Sequence, residues 1–215
     1  MTLILSGDDG TSDIDGSAAT PAIRGTDTNT GVYFSSPDVV GISAGGVEVG
    51  RFNSTGFVGA SVQSDVAKAG SGTIIQFTGI PSWVKQITMM LNDMGSNGSS
   101  QWLVQLGTSG GYEVTGYISA ASFVGSTTGT TNQTAGYGIR NTSATHNFNG
   151  SLIISLLGSN TWVAQGLFSG TGGGSGFTYL TSGAKTLSGT LTQIRLNTVN
   201  GTDAFDSGTI NILYQ

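Results

Sequence analysis

Catalysis needs a nucleophile with a base, paired carboxylates or a metal, and this chain of 215 residues carries one His, no Cys and only 12 Asp and Glu together. The His, His146, lies in Ala144-Thr145-His146-Asn147-Phe148, at the end of a polar stretch. A triad around it would also need a Ser in a sharp elbow and a buried acid, and no such elbow is present, so His146 reads as a loop or surface residue. Beyond residue 70 the carboxylates are Asp93, Glu113, Asp203 and Asp206, all near Gly or turn formers. A glycosidase pair meets in space and not in sequence, so one could form among these four, but no spacing selects it.

Two further runs invite a chemical reading. Asp8-Asp9-Gly10-Thr11-Ser12-Asp13-Ile14-Asp15-Gly16 supplies oxygen ligands of the kind Ca²⁺ takes, yet it lacks the spacing and the closing Glu of an EF-hand. It reads as a solvated docking segment. Gly170-Thr171-Gly172-Gly173-Gly174-Ser175-Gly176 is not followed by Lys-Ser or Lys-Thr, so it is a hairpin tip and not a phosphate loop. No catalytic, cofactor-binding or metal residue is expected, and the chain is expected not to be an enzyme.

Charge and composition narrow the partners. A net charge of −5 with seven Lys and Arg spread thinly argues against nucleic acid, which asks for clustered cations. The opening Met1-Thr2-Leu3-Ile4-Leu5-Ser6 lacks the basic start and apolar length of a signal peptide, and no run nears the roughly 20 apolar residues of a membrane span. Without Cys, any staple must come from packing or from partner chains. Gly numbers 36, with Ser, Thr and Asn abundant and Glu and Lys scarce, which is a turn-and-strand composition.

These residues sit on elements of two kinds. Residues 1–28 hold too few apolar side chains to bury a core and read as an attachment segment. From 29 to about 70, apolar groups recur between Gly residues: Val32-Tyr33-Phe34, Val39-Val40 with Ile42, Val47 with Val49 and Phe52, then Phe57-Val58. They predict three or four short strands turning at Gly41, Gly45-Gly46 and Gly56. Such a ribbon exposes edges and is marginal alone, so association with copies of itself is expected. Residues 60–72 carry the best helix or linker signal, and the boundary falls near residue 70.

From 71 to 215 the apolar period is two: Ile87, Met89, Leu91; Trp102, Val104, Leu106; Leu152, Ile154, Leu156; Trp162, Ala164, Phe168; Ile194, Leu196; Ile210, Ile212, Tyr214. Gln193, Arg195 and Asn197 face the other way, giving a dry and a wet face. The breaks at Ser96-Asn97-Gly98, Gly110-Gly111, Asn149-Gly150, Gly158-Ser159-Asn160, Gly172-Gly173-Gly174 and Asn200-Gly201 suit tight turns. The fold class is all-β, with a C-terminal antiparallel β-sandwich of jelly-roll type. Residues 125–147 read as an exposed polar loop, with Tyr137, Arg140 and His146 as candidates for surface contact. Trp102 and Trp162 are in phase with apolar neighbours and read as core.

Thr20-Pro21-Ala22-Ile23-Arg24-Gly25-Thr26-Asp27-Thr28-Asn29-Thr30-Gly31-Val32-Tyr33-Phe34, followed by Val40-Gly41-Ile42-Ser43-Ala44-Gly45-Gly46-Val47-Glu48-Val49-Gly50-Arg51-Phe52, resembles a module of bacteriophage tail-fibre and appendage proteins. In that module an Asn-Thr-Gly-aromatic segment leads into a Gly-Gly-x-Glu hairpin and an Arg-aromatic pair. Residues 71–215 are similar in style and order to C-terminal domains of phage fibres. The resemblance implies a homotrimer in the virion, its N-terminus held by tail or baseplate proteins and its C-terminal domain meeting a host surface glycan or protein. It carries over no catalytic residue. Three chains about one axis would pool Val32, Phe34, Val47, Val49 and Phe52 into a shared interior. The alternatives are a head decoration, neck or baseplate protein binding only other virion proteins, a polysaccharide depolymerase, and a bacterial lectin.

Overall fold

The structure, a computed structural model, describes residues 15–59, 63–171 and 176–215. These residues form strands, turns and loops, with no helix among them. The chain divides into two compact units, Met1–Val62 and Gln63–Gln215. Most of the acidic run and of the Gly170–Gly176 tip lies outside the described residues.

The N-terminal unit is a five-stranded antiparallel meander of β1 (Ile23–Arg24), β2 (Gly31–Ser36), β3 (Val39–Ala44), β4 (Val47–Asn53) and β5 (Gly56–Gly59). Its turns differ in two places from the expected ones, one being the β4–β5 turn, which is made by Ser54-Thr55 with Gly56 already in β5. The β2–β3 turn is made by Pro37-Asp38, with Asp38 at φ 61°, while Gly41 lies inside β3. Gly41 is there for room: a Cβ on it would stand 2.5 Å from Cζ of Tyr33, whose ring crosses the strand at that point. Gly45 and Gly46, at φ 61° and 80°, close the β3–β4 hairpin as expected.

Register assigns the faces of this sheet, because directly opposed residues of antiparallel strands point the same way. Val40, Phe52 and Phe57 form one row, Ile23, Val32 and Ile42 a second, and Ala44 with Val47 a third, all on one face. The opposite face carries Arg24, Tyr33, Ser43, Glu48 and Arg51. There the Tyr33 hydroxyl donates to the Glu48 carboxylate, which also accepts from Arg51 Nε at 2.6 Å. Every charged strand residue of the meander therefore lies on one side, and the other side is apolar.

The C-terminal unit begins with β6 (Gln63–Ser64) and β7 (Lys68–Ala69), short strands where a helix or linker was expected. Both pair with the last strand, β19 (Phe205–Tyr214), so the unit starts ahead of the expected boundary near residue 70. The remaining strands are β8 (Ile74–Thr78), β9 (Gln86–Ser96), β10 (Trp102–Thr108), β11 (Gly111–Tyr112), β12 (Ile118–Val124), β13 (Thr128–Gln133), β14 (Tyr137–Ile139), β15 (Asn147–Gly158), β16 (Thr161–Thr171), β17 (Phe177–Thr186) and β18 (Gln193–Thr198).

One sheet runs β8-β18-β10, with β11 and β14 both paired to β10. The other runs β13-β12-β17-β16-β15-β9-β19, with β6 and β7 on β19. Taking β8, β9, β10, β12, β13, β14, β15–β17 and β18 as eight successive units, the first sheet has the order 1-8-3-6 and the second 2-7-4-5. That is the strand order of a jelly roll. The seventh unit is widened into the three-strand meander β15-β16-β17, and an odd number of strands keeps each neighbour antiparallel.

The alternation read from sequence is what fills the space between these sheets. Ile75, Phe77, Val104, Leu106, Ile194 and Leu196 from one meet Ile87, Met89, Leu152, Ile154, Phe168 and Ile212 from the other. Trp102 is fully buried, its ring centroid 4.6 Å from Phe148 and 5.1 Å from Phe205, and Trp162 is buried as well. Ser159 and Asn160, at φ 47° and 60°, make the two-residue turn between β15 and β16, where a hairpin was expected. Asn149-Gly150 instead sits within β15 at an irregularity of pairing with β9. There Gly150 adopts φ 145° because a Cβ would meet the Leu167 carbonyl at 2.2 Å.

Candidate functional site

The polar stretch 125–147 is in part sheet. Thr128–Gln133 pairs with β12, and Tyr137–Ile139 adds to the edge of β10 opposite Trp102, Leu103 and Val104. Tyr137-Gly138-Ile139 is itself a short period-two run, the signal that the surrounding Gly, Ser and Thr obscured. Tyr137 is therefore fully buried and not exposed, its hydroxyl donating to the Trp162 carbonyl across the sandwich at 2.8 Å. Burial among apolar neighbours raises its phenol far above its ordinary value.

His146 is also buried, contrary to the surface placement expected for it. Its Nδ1 lies 2.8 Å from the Tyr179 hydroxyl, and its ring lies near Phe177 and Tyr179. Desolvation pushes its pKa below 6.5, favouring the neutral ring. No carboxylate bonds it, so it is held as a packed core group.

The carboxylates of this unit are each tied to structural donors or turned outward. Glu113 binds Lys185 Nζ at 2.6 Å and accepts from the amide and hydroxyl of Ser188, both at 2.7 Å. Burial alone would raise its pKa, but these donors outweigh it and hold the carboxyl below its ordinary value. Asp203 accepts from Asn200 Nδ2 and the Ser100 amide, Asp93 accepts from Asn147 Nδ2, and Asp206 is exposed. Among the described residues no three His, Asp or Glu side chains converge as metal ligands would.

Arg140 is the one surface candidate that meets a groove. Half-buried at the end of β14, it lines a depression of about 430 Å³ together with Ser100, Gln101, Gln133, Asn141 and Thr142. Its Nη1 donates to Thr131 Oγ1, and its guanidinium lies 5.2 Å from the Phe123 ring centroid. Gln133 Nε2 donates to Gln101 Oε1 at 2.7 Å, and Gln101 Nε2 donates on to Thr131 Oγ1 at 3.2 Å. Asn141 anchors the floor, donating to Ser96 Oγ and the Gly98 carbonyl. Gln101, Gln133 and Asn141 gave no sequence signal of binding, since single amides are ordinary in a chain this rich in Ser, Thr and Asn.

Two apolar surfaces complete the inventory. On the N-terminal unit, Val47 is 66% exposed, Phe57 57% and Phe52 51%, with Ile23, Val40 and Val49 exposed beside them; Val32 and Phe34 are half-buried. Val49 is the extra residue of a bulge, since Ile42 opposes Gly50 and Ser43 opposes Glu48. On the C-terminal unit, the outer face of the larger sheet carries Met90, Ile118, Val163, Leu167 and Leu180, all exposed. Rows such as Ser155-Val163-Ala184-Ile118 and Ser151-Leu167-Leu180-Ser122 run across it without a charged residue.

Comparison of the chain with protein-family models, with curated proteins and with solved structures finds no match in any of the three.

Proposed function

We propose that this protein is a non-enzymatic structural component of a bacteriophage tail, a short homotrimeric fibre. Its N-terminal segment attaches to tail or baseplate proteins, and its C-terminal sandwich contacts the host surface. The observation that carries the reading is the exposed apolar face of β1–β5. Among the described residues of its unit, this five-stranded sheet has one bare apolar face and no second layer to bury Phe52, Phe57 and Val47. Copies of the chain about a threefold axis bury these faces against one another, a closed arrangement that exposes none of them.

The rest of the molecule suits a binder more than a catalyst. The lone His is packed against Tyr179, and Glu113, Asp93 and Asp203 are spent on holding turns and an ion pair. Three copies of a weak groove presented together gain strength through effective concentration, which is how an adhesive tip holds a repetitive surface. Gold-labelled antibody against residues 63–215, applied to phage particles that carry the chain, tests the placement. Label at the distal tail supports the fibre, whereas label on the head or neck overturns it in favour of a protein that binds only other virion proteins.

A further inference from the structure

We infer that the groove around Arg140 binds a carboxylate-bearing sugar, such as a uronate unit of a host surface polysaccharide. This rests on the reading of the C-terminal unit as the host-facing part.

Arg140 carries a charge that no ion pair among the described residues compensates. The ion pairs among the described residues join Arg51 to Glu48 and Lys185 to Glu113, and neither includes Arg140. Its Nε is buried and has no acceptor. A guanidinium offers five N–H donors, and here only the bond to Thr131 Oγ1 engages them. Partial burial of a cation is costly unless an anion or several acceptors meet it, so an oxyanion entering the groove supplies the opposite charge that no ion pair among the described residues gives Arg140, although it does not reach the buried Nε.

Its geometry favours a planar anion. With its centre 5.2 Å from the Phe123 ring centroid and Nη1 bonded to Thr131, the guanidinium is restrained, and a planar guanidinium matches a carboxylate better than a point charge does. Around it the lining is hydroxyl and amide: Ser100, Gln101, Gln133 and Thr142. Such groups both donate and accept, as sugar hydroxyls do, and the Gln133-Gln101-Thr131 chain fixes their directions in advance. The nearby acid, Asp203, has its oxygens engaged by the Ser100 amide and Asn200 Nδ2. A volume of about 430 Å³ lies within the ~300–1,000 Å³ of ligand pockets.

The test is calorimetric titration of the intact protein with oligogalacturonate and with the same oligomer after reduction of its carboxyl groups. The expected result is binding of the acidic oligomer at least tenfold tighter than the reduced one. Arg140→Gln should abolish that difference, and Gln101→Glu, which keeps the acceptor for Gln133 but adds a like charge, should weaken acidic binding equally. Melting curves for both variants should match the parent. Equal binding of the two oligomers, unchanged binding in R140Q, or binding of a phosphorylated oligomer alone overturns the inference. Fluorescent protein applied to host cells separates the two levels: cells coated by a chain that binds no acidic oligomer reject the groove and keep the fibre, and bare cells reject both.

Discussion

The rings of Phe52 and Phe57 stand 4.9 Å apart across the β4–β5 hairpin, paired with each other and, on their outer side, with nothing else of their own sheet. A tilted aromatic pair this exposed gains stability when another surface covers it. Burying one such ring contributes roughly 1.5–3 kcal/mol. Phe52→Ser with Phe57→Ser should therefore dissociate the proposed trimer, while leaving the melting of the C-terminal sandwich unchanged. Sedimentation velocity reads the first effect and near-ultraviolet circular dichroism the second.

Gly41 and Tyr33 make a second test within the same unit. Gly41→Ala places a methyl where the Tyr33 ring lies and should displace it, breaking the hydroxyl's bond to Glu48. Tyr33→Phe removes the bond but keeps the ring over the Gly. Hydrogen exchange across residues 31–53 should speed up strongly in the first variant and slightly in the second. The same bond, ahead of that from Arg51, holds Glu48 below its ordinary pKa.

The Lys185–Glu113 pair ties the β11–β12 connection to β17, and Lys185 also sits 5.4 Å from the Tyr117 ring centroid. Lys185→Ala strands a carboxylate and should cost about 3 kcal/mol, the low end for a broken buried pair because Glu113 keeps a fifth of its side chain in water. Replacing both, as Lys185→Met with Glu113→Leu, should cost less than the sum of the single changes. Because the folded Glu113 pKa lies below the ordinary 4.5, its contribution is full above that pH and is lost as pH falls through the folded value. Denaturant titrations from pH 7 to pH 3 should show this slope, flattened in Glu113→Gln.

His146 gives a separate acid response in a higher window. Its folded pKa is depressed by burial, so below the ordinary 6.5 the unfolded chain takes a proton that the folded ring resists. Stability is then full above that pH and declines as pH drops below it. The melting temperature should fall between pH 7 and pH 5 in the parent, and less in His146→Gln. The Gln variant itself should be less stable at pH 7, since it loses the ring packed on Phe177 and the partner of the Tyr179 hydroxyl.

Much of the fold was legible because a strand with one dry face writes its own period. Ile194 and Leu196 are buried while Gln193, Arg195 and Asn197 are half-buried between them, as their alternation states. The face that β4 and β5 leave bare was equally readable, since Val47 and Phe52 are apolar with no second layer encoded nearby. Tyr137 and His146 were misplaced for different reasons. A chain rich in Gly, Ser and Thr still forms a strand when an edge such as that of β10 offers it hydrogen bonds, which turns Tyr137 into the core, whereas His146 lies just ahead of β15 and is buried by Phe177 and Tyr179, which are distant in sequence. The Asn149-Gly150 pair looked like a turn because sequence does not tell a hairpin from a Gly bent by the approach of Leu167. The groove was out of reach, because Gln101 ahead of β10, Gln133 in β13 and Arg140 after β14 come from separate segments and meet only in the folded sandwich.

The mass of the intact chain in dilute buffer, taken by light scattering over a hundredfold range of concentration, tests the account where it is most exposed. Three chain masses, stable on dilution and reduced to one by the paired Phe52 and Phe57 substitutions, is the predicted result. A single chain mass in the unmodified protein, with residues 23–59 nonetheless protected from hydrogen exchange, would show that the N-terminal sheet stands by itself and would contradict it.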